Sequence, residues 1–143
     1  MFRLSRAAEY AIRGMLYLSG KSGKVNTGIG EIAAGAGAPA PYLAKLFQNL
    51  AKKGFVRSVR GPVGGFALAR PPEEISLLDI IEAVEGPVFL NDCLIRDGLC
   101  SRDKSCPVHG VWREAQYAFL DSLRSSNFKQ LAAADGKKVK SSA

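Results

Sequence analysis

The sequence predicts a mainly α-helical fold with one small β-hairpin and a long helix towards its end. Three observations predict it. Apolar residues recur at helical spacing between Leu4 and Leu50. From Phe55 to Ala69 the pattern turns to β-formers folded about Gly61-Pro62-Val63-Gly64-Gly65. Helical amphipathicity then returns from Pro107 to about Ser125. The 143 residues suffice for one domain with an extension and a real core, and a hydrophobic content of 47% excludes a disordered chain.

Each element has a local reason. Leu4, Ala8, Ala11, Ile12, Met15 and Leu16 form one stripe, with Arg6, Glu9 and Arg13 elsewhere on the wheel, so a first helix is expected over Ser5–Ser19, ending near Gly20. After a loop, Lys21–Gly28, a short helix Ile29–Ala34 stops in Gly35-Ala36-Gly37. Pro39 and Pro41 suit the start of a third helix, because a first-turn N–H has no helical partner to lose. That helix is expected over Pro41–Lys53, closed by Gly54. Leu43, Leu46, Phe47 and Leu50 make its apolar stripe, and Tyr42, Lys45, Asn49 and Lys52 its polar face. The hairpin pairs Phe55–Arg60 with Phe66–Ala69. Ser76-Leu77-Leu78-Asp79 reads as a capping box opening a helix that ends at Gly86-Pro87. Val88–Cys106 has no clear period. The last helix presents Val108, Val111, Trp112, Ala115, Phe119 and Leu123 on one face, and a small, lysine-bearing tail follows.

Charge is divided unevenly. Residues 1–70 carry 11 basic and two acidic side chains, residues 71–143 nine basic and 11 acidic, giving +9 and −2 within the net +7. The first half therefore has the electrostatic footprint of a nucleic-acid binder. Two short helices joined by a Gly-rich turn and followed by a hairpin make a winged helix-turn-helix. Its second helix would lie in the major groove, offering Tyr42, Lys45, Asn49 and Lys52 to phosphates and base edges. The wing would bring Arg57, Arg60, Gly61, Pro62 and Gly64 beside it, the glycines allowing close approach. An anionic membrane surface is disfavoured, since the basic residues fall on several elements and not on one amphipathic helix. No stretch approaches the ~20 apolar residues of a membrane span, and Met1-Phe2-Arg3-Leu4-Ser5-Arg6 does not read as a secretory segment. With three cysteines, an odd number, this points to a reducing, cytoplasmic setting.

Cys93, Cys100 and Cys106 are spaced Cys-x6-Cys-x5-Cys, and His109, the one histidine, follows in Cys106-Pro107-Val108-His109. With Cys106 capping the helix that Pro107 opens, Cys106 and His109 lie one turn apart on one face. The helix N-terminus also favours a thiolate there. Three thiolates and an imidazole complete a four-ligand set for zinc or an iron–sulfur cluster. The lack of Cys-x2-Cys pairs tilts the reading towards a cluster, with zinc and a metal-free thiol-redox switch as the alternatives. Arg102, Lys104 and the helix N-terminus would offset an anionic group. No phosphate-binding loop or candidate triad is present, so neither an enzyme nor a small-molecule substrate is expected.

These residues resemble a family, the bacterial Rrf-type iron–sulfur regulators typified by IscR, NsrR and RirA. The resemblance spans about Met1 to Ala132. It is carried by Arg3-Leu4-Ser5, Glu9-Tyr10-Ala11, Glu31-Ile32-Ala33, Pro41-Tyr42-Leu43 and Leu50–Val56. Most specific are Val59–Phe66 in the wing and the three-cysteine loop followed by Trp112-Arg113. The resemblance implies a bacterial transcriptional regulator, more often a repressor, that binds a double-stranded DNA operator as a homodimer built on the long C-terminal helix. It further implies a cluster on Cys93, Cys100 and Cys106 that sets DNA affinity, a wing arginine at Arg60 and a backbone-contacting tyrosine at Tyr42. His109 stands where IscR-type members have a histidine ligand, implying a 2Fe–2S cluster. Glu9 stands where NsrR-type members place an acidic ligand from the partner subunit, implying 4Fe–4S; His109 and 2Fe–2S are preferred. Ala44 and Pro41 depart from IscR-type glutamate and serine DNA contacts, so the operator does not carry over. Iron, cluster supply, nitric oxide and redox state all remain open as the signal. The expected organisation is 1–86 winged helix-turn-helix, 87–106 cluster-binding loop, 107–132 dimerisation helix region and 133–143 disordered tail. The rival from another class is a metal or cluster carrier.

Overall fold

The computed structural model describes residues 2–21, 26–62 and 64–141; part of the expected Lys21–Gly28 loop and Val63 of the wing lie outside them. Helix α1, Arg6–Gly20, opens at Ser5, whose hydroxyl accepts the Ala8 N–H at 3.1 Å. Helix α2, Ile29–Ala36, is closed by Gly37 at φ 65°, a backbone position that glycine adopts without strain. Helix α3, Ala40–Lys52, begins beside Pro39 and Pro41. Strands β1, Val56–Val59, and β2, Gly65–Leu68, pair antiparallel with Val56 opposite Leu68 and Val59 opposite Gly65. Thr27 adds a short third rung, exchanging two backbone hydrogen bonds of 2.9 Å with Phe66. A side chain at position 65 would put its Cβ 2.1 Å from the Thr27 carbonyl, so only glycine lets this rung close.

Helix α4, Leu77–Glu85, carries the expected capping box: the Ser76 hydroxyl accepts from Asp79 N–H, and the Asp79 carboxylate accepts from Ser76 N–H. Together α1–α4 and the hairpin bury Met15, Ile32, Leu43, Phe47, Leu50, Phe66 and Ile80 in one core. Phe47 and Phe66 meet edge to face with centroids 5.4 Å apart. Gly14 is required by that ring, since a Cβ there would lie 2.7 Å from Phe47. A mainly helical winged helix-turn-helix with a hairpin and a long C-terminal helix is therefore observed as expected.

The C-terminal third departs from expectation only beyond its long helix. Helix α5, Pro107–Arg124, stops at Ser125, and helix α6, Phe128–Ser141, follows it. Helix α5 thus ends where the sequence placed it, near Ser125, while α6 was not expected and runs on through 133–141, read from sequence as a disordered tail. The break comes from Ser125-Ser126-Asn127, poor helix formers that serve well as caps; the Asn127 carboxamide oxygen accepts the Gln130 N–H. The return is anchored by hydrogen bonds from Leu77 N–H to Ser126 O and from Phe128 N–H to Ile75 O. Phe128 is fully buried in the core of the winged domain, and α6 packs along α1. The physical reason is this one aromatic side chain, which needs a core and finds it between α1 and the 75–77 segment.

Candidate DNA-binding surface and cysteine site

Along α3, Tyr42, Lys45 and Lys52 are exposed on the face away from Leu43, Phe47 and Leu50. Tyr42 rests edge-on against Tyr10, with centroids 5.8 Å apart, and the Arg13 guanidinium lies 5.9 Å from the Tyr10 ring centre. Arg13, unassigned from sequence, therefore adds an exposed cation beside Tyr10, the ring that Tyr42 rests against. In the wing, Arg57, Arg60, Gly61, Pro62 and Gly64 are all exposed. Gly61 adopts φ 123°, and the Gly64 N–H closes the turn on the Gly61 carbonyl at 3.0 Å. Among the described residues the one ion pair joins Lys21 to Glu31, remote in sequence from this face. Lys45, Lys52, Arg57 and Arg60 are thus not engaged by carboxylates of the described residues.

Asn49 is a correction. It was expected on the polar face, yet it is half-buried and its Nδ2 donates to the Ala83 carbonyl at 3.2 Å. Lys53 Nζ donates to the same oxygen at 2.6 Å. The cause is legible in the chain. In an α-helix the Ala83 carbonyl would accept from the N–H four residues on, but residue 87 is proline and has none. Ala83 is buried, so its carbonyl needs another donor. Asn49 and Lys53, one turn apart, supply two and clamp α3 to the end of α4.

The cysteine site lies beyond that end. Gly86, at φ 81°, turns the chain out of α4. The Gln116 carboxamide of α5 then fastens the next segment, accepting from Leu90 N–H at 2.8 Å and donating to Val88 O at 2.9 Å. Cys93 falls in a short 3-10 turn, Asp92–Leu94; Cys106 is the N-cap residue of α5, as expected. Cys93, Cys100 and Cys106 are free, half-buried thiols. With His109 they line one cavity of about 180 Å³, completed by Asn91, Asp103, Val108 and Trp112. The spacing therefore brings together all four predicted donors. They line the cavity without converging: among the described residues no three His, Cys, Asp or Glu side chains are placed to hold a single ion.

His109 is 9% exposed; its Nε2 lies 3.0 Å from an Arg113 guanidinium nitrogen, while the buried Nδ1 has no hydrogen-bond partner. An unpartnered ring nitrogen and three free thiols on one cavity fit a metal or cluster by donor chemistry. Asn91 donates from Nδ2 to the Cys93 sulfur at 3.7 Å, a contact of the kind that tunes metal-bound thiolates. Asp103, not singled out from sequence, is the cavity's own carboxylate, and it accepts the Gly98 N–H at 2.6 Å. Glu9 is exposed on α1 and does not line this cavity, so any role for it as a ligand falls to a second copy of the chain.

On α5, Val108, Val111, Trp112 and Tyr117 are 53%, 65%, 37% and 70% exposed, and His109 is the one buried residue of the helix. This apolar face has no cover from the described residues. No helix among them is long and apolar enough to cross a membrane.

Comparison with known proteins agrees with this geometry. Residues 4–134 match the family model Rrf2, described as an iron-dependent transcriptional regulator. The chain is similar to the HTH-type transcriptional regulator IscR of Photorhabdus laumondii, 33% identical over 129 residues, covering 90% of this chain and 78% of that one. Among solved structures it resembles CymR, the global cysteine regulator of B. subtilis, with TM-score 0.77, 28% identity, and coverage of 94% of this chain and 98% of that one. It also resembles IscR of T. potens, with TM-score 0.72, 28% identity and coverage of 93% and 88%. These relatives are transcriptional regulators, not enzymes. A family model spanning 4–134 and a relative matched over 90% of the chain place it: this protein belongs to the Rrf2 family of transcriptional regulators.

Proposed function

We propose that this transcriptional regulator binds operator DNA as a homodimer and that an iron–sulfur cluster on its cysteine site controls that binding. One observation carries the reading: Cys93, Cys100, Cys106 and His109, scattered over 17 residues of chain, line a single cavity next to the helix expected to dimerise. These four would hold the cluster, with 2Fe–2S preferred; Glu9 of a second copy is the alternative fourth ligand and would favour 4Fe–4S. When bound, a cluster supplies a group that iron supply, redox state or nitric oxide can alter.

The chain's own residues supply the coupling. The donors surround the cavity without converging, so for Cys93, Cys100, Cys106 and His109 to hold one group together the loop would have to close inward. The loop begins at the segment Gln116 holds to α5 and continues back into α4, whose Ala83 carbonyl is gripped by α3. A change in the loop is therefore transmitted to the helix that presents Tyr42, Lys45 and Lys52. Arg57, Arg60, Gly61, Pro62 and Gly64 form the wing contact, and the exposed Val108, Val111 and Trp112 stripe of α5 is the dimer seam. Repression is the expected outcome at the promoter, with the DNA site blocked while the protein is bound.

Purification without oxygen, with absorption spectra and iron and sulfide analysis, tests the cofactor. Coloured protein with iron and sulfide in equal amounts supports the cluster. Colourless protein with stoichiometric zinc removes it. A second reading, a thiol-based regulator without metal, draws on the likeness to the cysteine regulator CymR and on three free thiols at one cavity. It predicts metal-free protein whose DNA affinity changes on thiol oxidation. A carrier of metal or clusters would instead show no sequence-dependent DNA binding.

A further inference from the structure

Arg6, Tyr10, Arg13 and Tyr17 follow one another at intervals of four, three and four residues, so they share one face of α1. Basic and aromatic side chains alternate along it. One end of this face is already engaged: the Tyr17 hydroxyl donates to the Glu31 carboxylate at 2.7 Å, and Lys21 pairs with the same carboxylate. Arg13 is different. It is exposed, and among the described residues it has no ion pair, although Glu9 stands one turn before it. Its guanidinium lies 5.9 Å from the centre of the Tyr10 ring, and that ring meets Tyr42 edge to face with centroids 5.8 Å apart. Tyr42 is near the start of α3, so two ring contacts set Arg13 at the flank of the reading helix.

We propose that Arg13 contacts a backbone phosphate of the bound operator, so that α1 extends the DNA surface beyond α3 and the wing. This rests on the DNA-binding reading above and deepens it. A helix in the major groove lies between two phosphate backbones, and a cation at its flank meets phosphate before it meets a base edge. Arginine suits the place, since a planar guanidinium can lie against a ring and still turn its N–H fork to a phosphate. Solvation alone is the ordinary fate of an exposed arginine. What sets this one apart is an aromatic support shared with a residue of the reading helix. A phosphate contact carries no base information, so Arg13 adds affinity and fixes register without selecting sequence.

Salt titration of one selected duplex with the full chain, in whichever of the loaded and metal-free forms binds it more tightly, tests the contact. Each phosphate contact adds roughly 0.9 to the slope of log affinity against log salt, so Arg13→Ala should lower that slope by about one. Raising salt from about 50 to about 200 mM then weakens the wild type roughly three- to four-fold more than the variant. Arg13→Lys keeps the charge and should keep the slope. Arg124→Ala removes an equal charge from a cavity lined by Glu73, Glu74, Asp79 and Glu82 and should leave the slope as it is. Base preference, selected from a random duplex pool, should be the same in all four proteins. An unchanged slope in Arg13→Ala, an equal fall in Arg124→Ala, or an altered base preference would overturn the assignment. So would an unchanged slope with weakened self-association, which places Arg13 between copies of the chain. A wild type that selects no duplex removes the DNA-binding reading itself; a slope that falls in Lys52→Ala and not in Arg13→Ala removes the α1 contact alone.

Discussion

Replacing Asn49 by Ala separates two roles that the sequence alone assigns differently. If Asn49 read bases, its loss would relax preference at one operator position by about 1–3 kcal/mol. The structure instead ties its carboxamide to the Ala83 carbonyl, which Pro87 leaves without a helical donor. Asn49→Ala removes one neutral hydrogen bond, worth about 0.5–1.5 kcal/mol net. The carbonyl keeps Lys53 at 2.6 Å, so the further penalty of an orphaned buried acceptor is not incurred. A loss of about 1 kcal/mol follows, or roughly 3 °C in melting temperature for a chain of this size. Lys53→Ala should behave alike. The double variant leaves a buried carbonyl with neither donor and adds about 1–3 kcal/mol beyond the sum of the two. Thermal unfolding of all four proteins at one concentration measures this, since self-association raises apparent stability. Base preference, read by selection from a random duplex pool, should not change. Additive losses within about 0.5 kcal/mol, or a changed base preference in Asn49→Ala, would refute the clamp.

Other perturbations probe the remaining parts. Lys52→Ala should lower the slope of log affinity against log salt by about one if the lysine meets phosphate, and Arg60→Ala should weaken specific binding by about 1–3 kcal/mol; salt titrations of the selected duplex measure both. Phe128→Ala empties a fully buried site between α1 and the 75–77 segment and should destabilise the protein by about 3–5 kcal/mol in denaturant unfolding. Glu31 is held below its ordinary value of 4.5 by hydrogen bonds from Lys21 and then Tyr17. A depressed carboxylate contributes stability that is present above the ordinary value and lost as pH falls through the lowered one. Unfolding of wild type and Glu31→Gln should thus differ by a small, constant amount above pH 4.5 and converge below it.

Much of the fold was legible because it is local. Ser5 and Ser76 with Asp79 announce helix starts, Gly37 and Gly61 need positive φ, and the change of period at Phe55 marks the hairpin. The cysteine site was legible for the same reason: Cys106 as N-cap and His109 one turn later share a face, and the loop returns Cys93 and Cys100 to them. What escaped depends on contacts between distant segments. A helical wheel puts Asn49 at the border of the polar face, and only the docking of α4 decides that it turns inward. Pro87 was a readable signal, since it leaves Ala83 without a donor, but its partner on α3 was not. Phe128 stands alone in a lysine- and alanine-rich stretch, where no periodicity marks it as core. Arg113 reads as an exposed cation until the ring of His109 is seen beneath it.

The central claim is that the group held at the cysteine site sets DNA affinity. It is tested most directly by titrating one selected duplex, at one salt concentration and without oxygen, against the loaded and the metal-free protein. Site couplings of about 1–3 kcal/mol predict affinities that differ about 5–150-fold, and replacing Cys100 by Ser should abolish the difference. Equal affinities for the loaded and metal-free protein would contradict the claim.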